Sequence, residues 1–429
     1  MMEPCDLLIH SAAQVVTCAG PPGPRRGAAM RELGIISDGA VAIRGTTIIA
    51  VGPSAELRRR FHPAREINAR GRAVCPGLVD CHTHIVYAGD RVAEFEQRCA
   101  GATYQEIMAA GGGILRTMRL TRAATTAELV EATLPRLQQM LRLGTTTAEV
   151  KTGYGLARDA ELRQLAAIGL LAAAQPVELV PTFLPAHAVP PEFAGRADAY
   201  IDLVIEEMLP LARDWYRVSS FAARSIPLFA DVFCERGAFD VAQSRRVLAA
   251  AQALGFSLKA HVDEFAELGG LAMALELGAT SVDHLDVTNP VMFPALAVSA
   301  TVAVLLPLVS LNLGLSHFAA ARQMIDAGVA VALSTDANPG SAPSLSLPLT
   351  MAIACRYMRM LPAEALLATT VNAAHAIGLG GRVGAIMPGM QADLLVLTEA
   401  DYRWLMYELG GSPVERVIKR GQVVVGESE

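Results

Sequence analysis

Two histidines with one residue between them close the stretch Cys75-Pro76-Gly77-Leu78-Val79-Asp80-Cys81-His82-Thr83-His84. On an extended chain alternate side chains share a face, so His82 and His84 point the same way. Two neutral imidazoles side by side are half of a divalent-metal site. Cys81 points to the opposite face and is read as a packing residue. Further along, His261 lies in Lys259-Ala260-His261-Val262-Asp263-Glu264, His284 follows Asp283, and Asp336 opens Asp336-Ala337-Asn338-Pro339-Gly340. A mononuclear hydrolytic site needs three or four nitrogen or oxygen ligands and one position left for water. His82, His84, His261 and Asp336 supply three imidazoles and a carboxylate. A set without cysteine argues against a closed structural zinc site. The chemistry would be hydrolysis by a metal-activated water, whose pKa the cation brings toward neutrality. Asp336 could take the water proton while holding the metal, leaving Glu264 and His284 as acid/base groups facing the substrate. Lys151 has two readings, a carbamylated lysine bridging two metals or a structural ion pair, and the second is favoured.

These residues need a frame that brings them together. Residues 1–75 read as short strands, among them Asp6–His10 and a hairpin of Gly39–Arg44 with Thr47–Gly52. Gly20-Pro21-Pro22-Gly23-Pro24 reads as a mobile loop. From Gly77 onward short β-rich runs alternate with longer Ala/Leu-rich helical runs. Eight candidate strands fall near 77–81, 145–150, 177–183, 229–234, 257–261, 280–284, 300–305 and 330–335. Helical patterns lie between them, for example Ala127–Leu141, Asp159–Ala173, Asp240–Ala253 and Glu264–Leu277. This alternation predicts an α/β fold, a (β/α)8 TIM barrel over 76–384. After Gly380 the chain returns to β. The flanks 1–75 and 385–429 are expected to form one small composite β-sandwich domain. A doubly wound sheet is the weaker alternative, because no G-x-G-x-x-G follows the first strand.

In a TIM barrel the chemistry sits at the C-terminal ends of the strands. Five of the nine histidines, His82, His84, His187, His261 and His284, fall at the ends of the candidate strands. The second strand runs into Glu149-Val150-Lys151-Thr152-Gly153-Tyr154-Gly155, the third into Pro185-Ala186-His187.

The totals bound the class of function. The chain has 429 residues, 52% hydrophobic, 18% charged and 5% aromatic, so its interior is built mainly from aliphatic side chains. A net charge of −6 without a basic stripe argues against nucleic acid as a partner. No apolar run reaches the roughly eighteen residues of a membrane span. The acidic N-terminus lacks the positive region of a signal peptide. Seven scattered cysteines, none in C-x-x-C, suit reduced thiols in a cytoplasmic protein.

Taken together, the sequence resembles the metal-dependent amidohydrolases and, within them, the imidazolonepropionase family. The broad resemblance covers the whole chain and rests on Pro76–His84, His261, Asp336 and the return strand Gln391-Ala392-Asp393-Leu394-Leu395-Val396-Leu397. The narrower one rests on Ala88-Gly89-Asp90-Arg91, Gly101-Ala102-Thr103-Tyr104-Gln105-Glu106-Ile107 with Ala110-Gly111-Gly112-Gly113-Ile114, Gly144-Thr145-Thr146-Thr147 with Glu149–Leu156, Asp231-Val232-Phe233-Cys234-Glu235, His261-Val262-Asp263-Glu264-Phe265 and Asp336–Gly340. The resemblance implies hydrolysis of the cyclic amide of 4-imidazolone-5-propanoate to N-formimidoyl-L-glutamate in histidine degradation. It implies one Zn2+ or Fe2+ per chain on His82, His84, His261 and Asp336, and a homodimer. It implies a substrate pocket lined by Arg91, Tyr154, His187, Glu264, Asn338, Gly340 and Ser341, with His284 as the catalytic histidine of the sixth strand.

The residues agree with that assignment. A guanidinium can grip a flexible propionate bidentately, and Arg91 follows the H-x-H loop. Arg91 could instead pair with Asp90 or Glu94 at the surface. Glu264 could instead be an exposed carboxylate at a helix start. Gly340 suits close backbone approach to a ligand. Two other functions stay open on residues alone. One is a deaminase of cytosine- or guanine-like rings, which Arg91 disfavours because those substrates have no carboxylate. The other is a non-catalytic assembly scaffold, which the complete ligand set disfavours.

Overall fold

A computed structural model describes residues 2–102, 106 and 111–427. Thr103, Tyr104, Gln105, Ile107 and Ala110 of the quoted motif lie outside the described residues.

Five strands come first: β1 (Glu3–Val16), β2 (Ile35–Arg44), β3 (Thr47–Pro53), β4 (Phe61–Asn68) and β5 (Ala73–Pro76). The expected hairpin is there as β2 and β3, antiparallel, turning at Gly45 with φ +57°. The barrel follows as β6 (Leu78–Asp80), β7 (Thr145–Lys151), β8 (Glu178–Ala186), β9 (Phe229–Cys234), β10 (Ser257–Val262), β11 (Ser281–His284), β12 (Val302–Leu305) and β13 (Val331–Leu333). All eight expected strands form. Each pairs in parallel with the next in sequence, giving one eight-stranded sheet from β6 to β13. The sheet closes beyond the ends of its outer strands. His84 N donates to Ala337 O at 2.9 Å, and Asp336 N donates to His82 O at 3.1 Å. The seam of the barrel therefore runs through three of the expected metal ligands.

Local sequence places the helices between these strands. Thr125 and Glu128 form a reciprocal capping box that starts the helix Thr126–Arg142. Asp240 and Gln243 do the same for Val241–Ala253. One expected helix is corrected. The run from Glu264 becomes helical only over Gly270–Glu276. The amides of Phe265 and Ala266 donate instead to Glu235 Oε2, at 2.9 and 3.1 Å, and keep 264–269 as a loop. Glu264 is therefore not an exposed helix-start carboxylate; it is buried at the strand end.

The chain ends with β14 (Leu394–Leu397), β15 (Val414–Lys419) and β16 (Gln422–Val425). These join β5 and, through it, β1 to β3, so both ends of the chain build one sheet. Its eight strands are hydrogen-bonded continuously, with β4 paired alongside β1. One apolar cluster spans this sheet, joining Leu7, Ile9, Val41 and Ile43 from the N-terminal strands to Leu394, Val396 and Ile418 from the C-terminal ones. The Gly20–Pro24 segment is irregular, as expected, yet tied down behind it. Arg25 N donates to Asn372 Oδ1 at 2.7 Å, and Asn372 Nδ2 donates back to Arg25 O at 3.0 Å.

The terminal sheet contains a buried ion pair. Lys419 Nζ lies 2.7 Å from Asp393 Oδ2, with the side chains 2% and 3% exposed. Asp393 also accepts from the amide of Arg420 at 2.9 Å. Removing one partner of such a pair leaves a buried charge without compensation. Asp393→Ala is expected to lower unfolding stability by about 3–5 kcal/mol in denaturant titration. A change under about 1 kcal/mol would show that Lys419 finds another partner or water.

Candidate active site

The ends of β6, β10 and β13 meet over a buried group of imidazoles. His82 Nδ1 lies 2.6 Å from Asp283 Oδ2, and His261 Nδ1 lies 3.1 Å from Asp231 Oδ1. An ionised carboxylate only accepts, so each of these rings carries its proton on Nδ1 and turns the Nε2 lone pair inward. The Nε2 atoms of His82 and His84 are 3.2 Å apart, and those of His84 and His261 3.4 Å. Asp336 Oδ1 stands 3.3 and 3.4 Å from the Nε2 atoms of His82 and His84. Lone pairs gathered at these distances repel one another. A divalent cation among them turns the repulsion into ligation, so the donor set fits a metal. Burial, reinforced by Lys151 for His82 and by His187 for His84, holds both imidazoles well below the usual histidine range. They are neutral at physiological pH, as ligands must be.

Beneath the histidines lies a cation that the sequence left with two readings. Lys151 Nζ donates to Glu149 Oε1 at 2.7 Å and to Asp231 Oδ2 at 2.8 Å, and lies 3.6 Å from Asp283 Oδ2. Burial alone would favour neutral lysine, but Asp231, Glu149 and Asp283 outweigh it and keep the ammonium charged. A carbamate here would add a fourth negative charge, so the geometry favours the structural ion pair. Through Asp231 and Asp283 this one ammonium braces two of the three imidazoles.

Asp336 is set by the turn that carries it. Asp80 accepts from Ser334 Oγ, from Thr335 N at 3.1 Å and from Thr335 Oγ1 at 2.7 Å. Asp336 itself has φ +51°, a conformation that aspartate tolerates better than most residues. Asn338 Nδ2 then donates to Asp336 Oδ2 at 2.9 Å, while Asn338 Oδ1 accepts from the amides of Gly340 and Ser341, both at 2.8 Å.

A cavity of about 860 Å³ opens above this floor. Of the twelve expected site residues all but His82 line it: His84, Arg91, Tyr154, His187, His261, Glu264, His284, Asp336, Asn338, Gly340 and Ser341. His187 stacks on His84, ring centroids 4.9 Å apart, and its Nδ1 lies 3.0 Å from Gly153 O, so the proton sits there. The Tyr154 ring lies 5.6 Å from that of His187. Arg91 pairs with Glu94 at 2.7 Å, but in a largely buried position in the cavity wall rather than at the surface.

Glu264 and His284 face each other across the cavity, Oε2 to Nε2, at 3.7 Å. Burial, then the nearby carboxylates of Asp336, Asp286 and Glu235, push the Glu264 carboxyl well above its usual range. On the far side of His284, Nδ1 lies 3.9 Å from Asp286 Oδ2, whose carboxyl burial pushes up to about 7.

Sequence reasoning assigned no role to Asp80, Asp231, Glu235, Asp283 and Asp286, and offered Glu94 only as a surface partner of Arg91. The signal was present for two of them. An acid inside the apolar run Phe229-Ala230-Asp231-Val232-Phe233, or beside a strand-end histidine as in Asp283-His284, has to find a buried partner.

Comparison with known proteins bears on this geometry. The amidohydrolase family profile matches residues 73–424. An imidazolonepropionase from Chloroflexus aggregans is 85% identical over 99% of this chain and 99% of its own length. This chain belongs to the imidazolonepropionase family of amidohydrolases. The bacterial imidazolonepropionase-like composite domain profile matches residues 39–64, within the β2–β4 region. A second imidazolonepropionase, from Herpetosiphon aurantiacus, is 50% identical over 99% of this chain and 98% of its own. Among solved structures, a zinc-bound adenosine deaminase from Xanthomonas campestris superposes with a TM-score of 0.73 at 22% identity, covering 100% of this chain and 95% of that one. That likeness shows the fold alone. The family is metal-dependent, and the described residues hold His82, His84 and His261 as a group able to bind an ion.

Proposed function

We propose that this chain hydrolyses the ring amide of 4-imidazolone-5-propanoate to N-formimidoyl-L-glutamate, a step of histidine degradation. The observation that carries the reading is the near-full-length identity to imidazolonepropionases, joined to an arginine in the wall of a cavity whose floor is a metal-ligand cluster.

His82, His84, His261 and Asp336 would hold one divalent cation, Zn2+ or Fe2+. When bound, the cation supplies a water acidified toward neutrality and polarises the amide carbonyl. The rest falls to side chains of this chain. Arg91 binds the propionate and orients the ring. Tyr154 and His187 hydrogen-bond the ring or the carboxylate. Asp336 takes the proton of the attacking water, its Oδ2 steadied by Asn338. His284 stabilises charge developing on the carbonyl oxygen. Glu264 carries a proton to the ring nitrogen as the C–N bond opens. The deaminase reading is weaker, since cytosine- and guanine-like rings leave Arg91 without a carboxylate to bind. We place the enzyme in the cytoplasm as a homodimer. Seven free thiols suit a reducing compartment, and the dimer rests on the family resemblance.

The test is ultraviolet-monitored consumption of freshly generated imidazolone propionate by metal-analysed protein. Turnover with about one metal per chain, abolished by a chelator and restored by zinc or iron(II), is expected. Bound metal without turnover would redirect the search to other cyclic amides and amidines. Protein with neither metal nor turnover would favour the scaffold.

A further inference from the structure

The geometry points to Glu94 as the positioning residue for Arg91: its carboxylate locks the guanidinium in the orientation that receives the carboxylate of the substrate. The inference rests on the proposed function.

Arg91 stands just before the helix Val92–Cys99, and Glu94 lies one turn into it. Both side chains are largely buried, 13% and 8% exposed. Glu94 divides its two oxygens between separate segments. Oε2 accepts from Arg91 Nε at 2.7 Å, and Oε1 accepts from the amide of Gly113 at 3.1 Å. Gly113, at φ +66°, opens the helix Ile114–Ala123. One carboxylate thus ties the arginine to the start of a second element and cannot swing without breaking a bond.

The other side of the guanidinium is closed by backbone. A Cβ placed on Gly340 would fall 2.6 Å from Arg91 Cζ. A side chain there would have to displace the guanidinium from its present position. The guanidinium therefore lies in a slot between Glu94 and Gly340, with its Nε–H used. Its two terminal nitrogens have no hydrogen-bond partner among the described residues. Those nitrogens are the edge that a carboxylate takes bidentately.

A long flexible side chain that is ordered only on binding costs affinity. One ordered in advance does not, and the difference is about 0.5–1.5 kcal/mol per side chain. The sign of the effect separates positioning from plain charge. If Glu94 only weakened the positive field of Arg91, its removal would strengthen anion binding. If it positions Arg91, its removal weakens binding.

The test compares wild type, Glu94→Ala, Glu94→Gln, Arg91→Ala and the Arg91→Ala/Glu94→Ala double variant. Two substrates are used: imidazolone propionate and the imidazolone ring without its propionate. Glu94→Ala is expected to raise KM for the full substrate up to about tenfold with kcat within about twofold. Glu94→Gln, which keeps one acceptor, should show a smaller rise. On the bare ring kcat/KM should stay at the wild-type value. The double variant should be no worse than Arg91→Ala, because the two residues act as one unit. A lowered KM, an equal loss on the bare ring, or full additivity with Arg91→Ala would overturn the inference. Wild-type protein that turns over neither substrate would overturn the proposed function as well. Wild-type turnover with KM unmoved in Glu94→Ala would overturn this inference alone.

Discussion

Asp336→Ala is expected to lower kcat by at least about 10³-fold and to leave the purified protein short of metal. Asp336 Oδ1 sits 3.3 and 3.4 Å from the imidazole nitrogens of His82 and His84, so its removal takes away the anionic member of the ligand set. The same carboxylate is the proposed acceptor of the water proton, so the variant loses two functions at once. Its other oxygen accepts from Asn338 Nδ2 at 2.9 Å, a bond that fixes the carboxylate's orientation. Alanine must also adopt the left-handed backbone of this turn, at a cost of about 1–3 kcal/mol. Asp336→Asn keeps the shape with less strain and separates the chemical loss from the backbone effect. Steady-state kinetics beside metal analysis after gel filtration makes the measurement. An Asp336→Asn protein with full metal and kcat within about tenfold of wild type would remove Asp336 from the proton path.

Glu264→Gln should show a loss of similar scale with a different signature. General acid–base groups contribute about 10²–10⁴-fold, so kcat should fall into that range. Glu264 is not in the imidazole cluster, so metal content should stay at the wild-type level. Stability should move the other way from activity. The folded-state pKa of Glu264 is raised well above the ordinary 4.5, by burial first and then by Asp336, Asp286 and Glu235. Below pH 4.5 the carboxyl is protonated in both folded and unfolded chains and contributes no difference. As pH rises past that point the unfolded chain releases the proton first, so folding loses stability until the folded group also ionises. Glutamine escapes this loss. The variant should therefore match wild type near pH 4 and exceed it in Tm at neutral pH. A Glu264→Gln enzyme with near-normal kcat would move the proton transfer to His284 and Asp336.

Much of this arrangement was legible from residue order because the barrel obeys local rules. His82-x-His84 follows directly on β6, and the pairing of this segment with the Asp336 turn carries the strand's alternation on to both rings, while the beat of short apolar runs with Ala/Leu-rich runs marks all eight strands. Thr125 with Glu128 and Asp240 with Gln243 announce their helices through capping chemistry that reaches only three residues. The helix starting at Glu264 was misplaced for the opposite reason. The amides of Phe265 and Ala266 are taken by Glu235, 30 and 31 positions away, and no local pattern encodes that contact.

The sequence by itself determined the fold class, the family and the residue types able to hold a metal, because period-two and period-3.6 patterning and short motifs act within a few residues. Only the tertiary structure decided that Lys151 is an ion pair, that Asp231 and Asp283 set the proton on His261 and His82, and that Arg91 lies between Glu94 and Gly340. Each of these joins residues on different strands or loops. Their energies depend on burial and on distances of a few ångströms, which exist only once the barrel has closed.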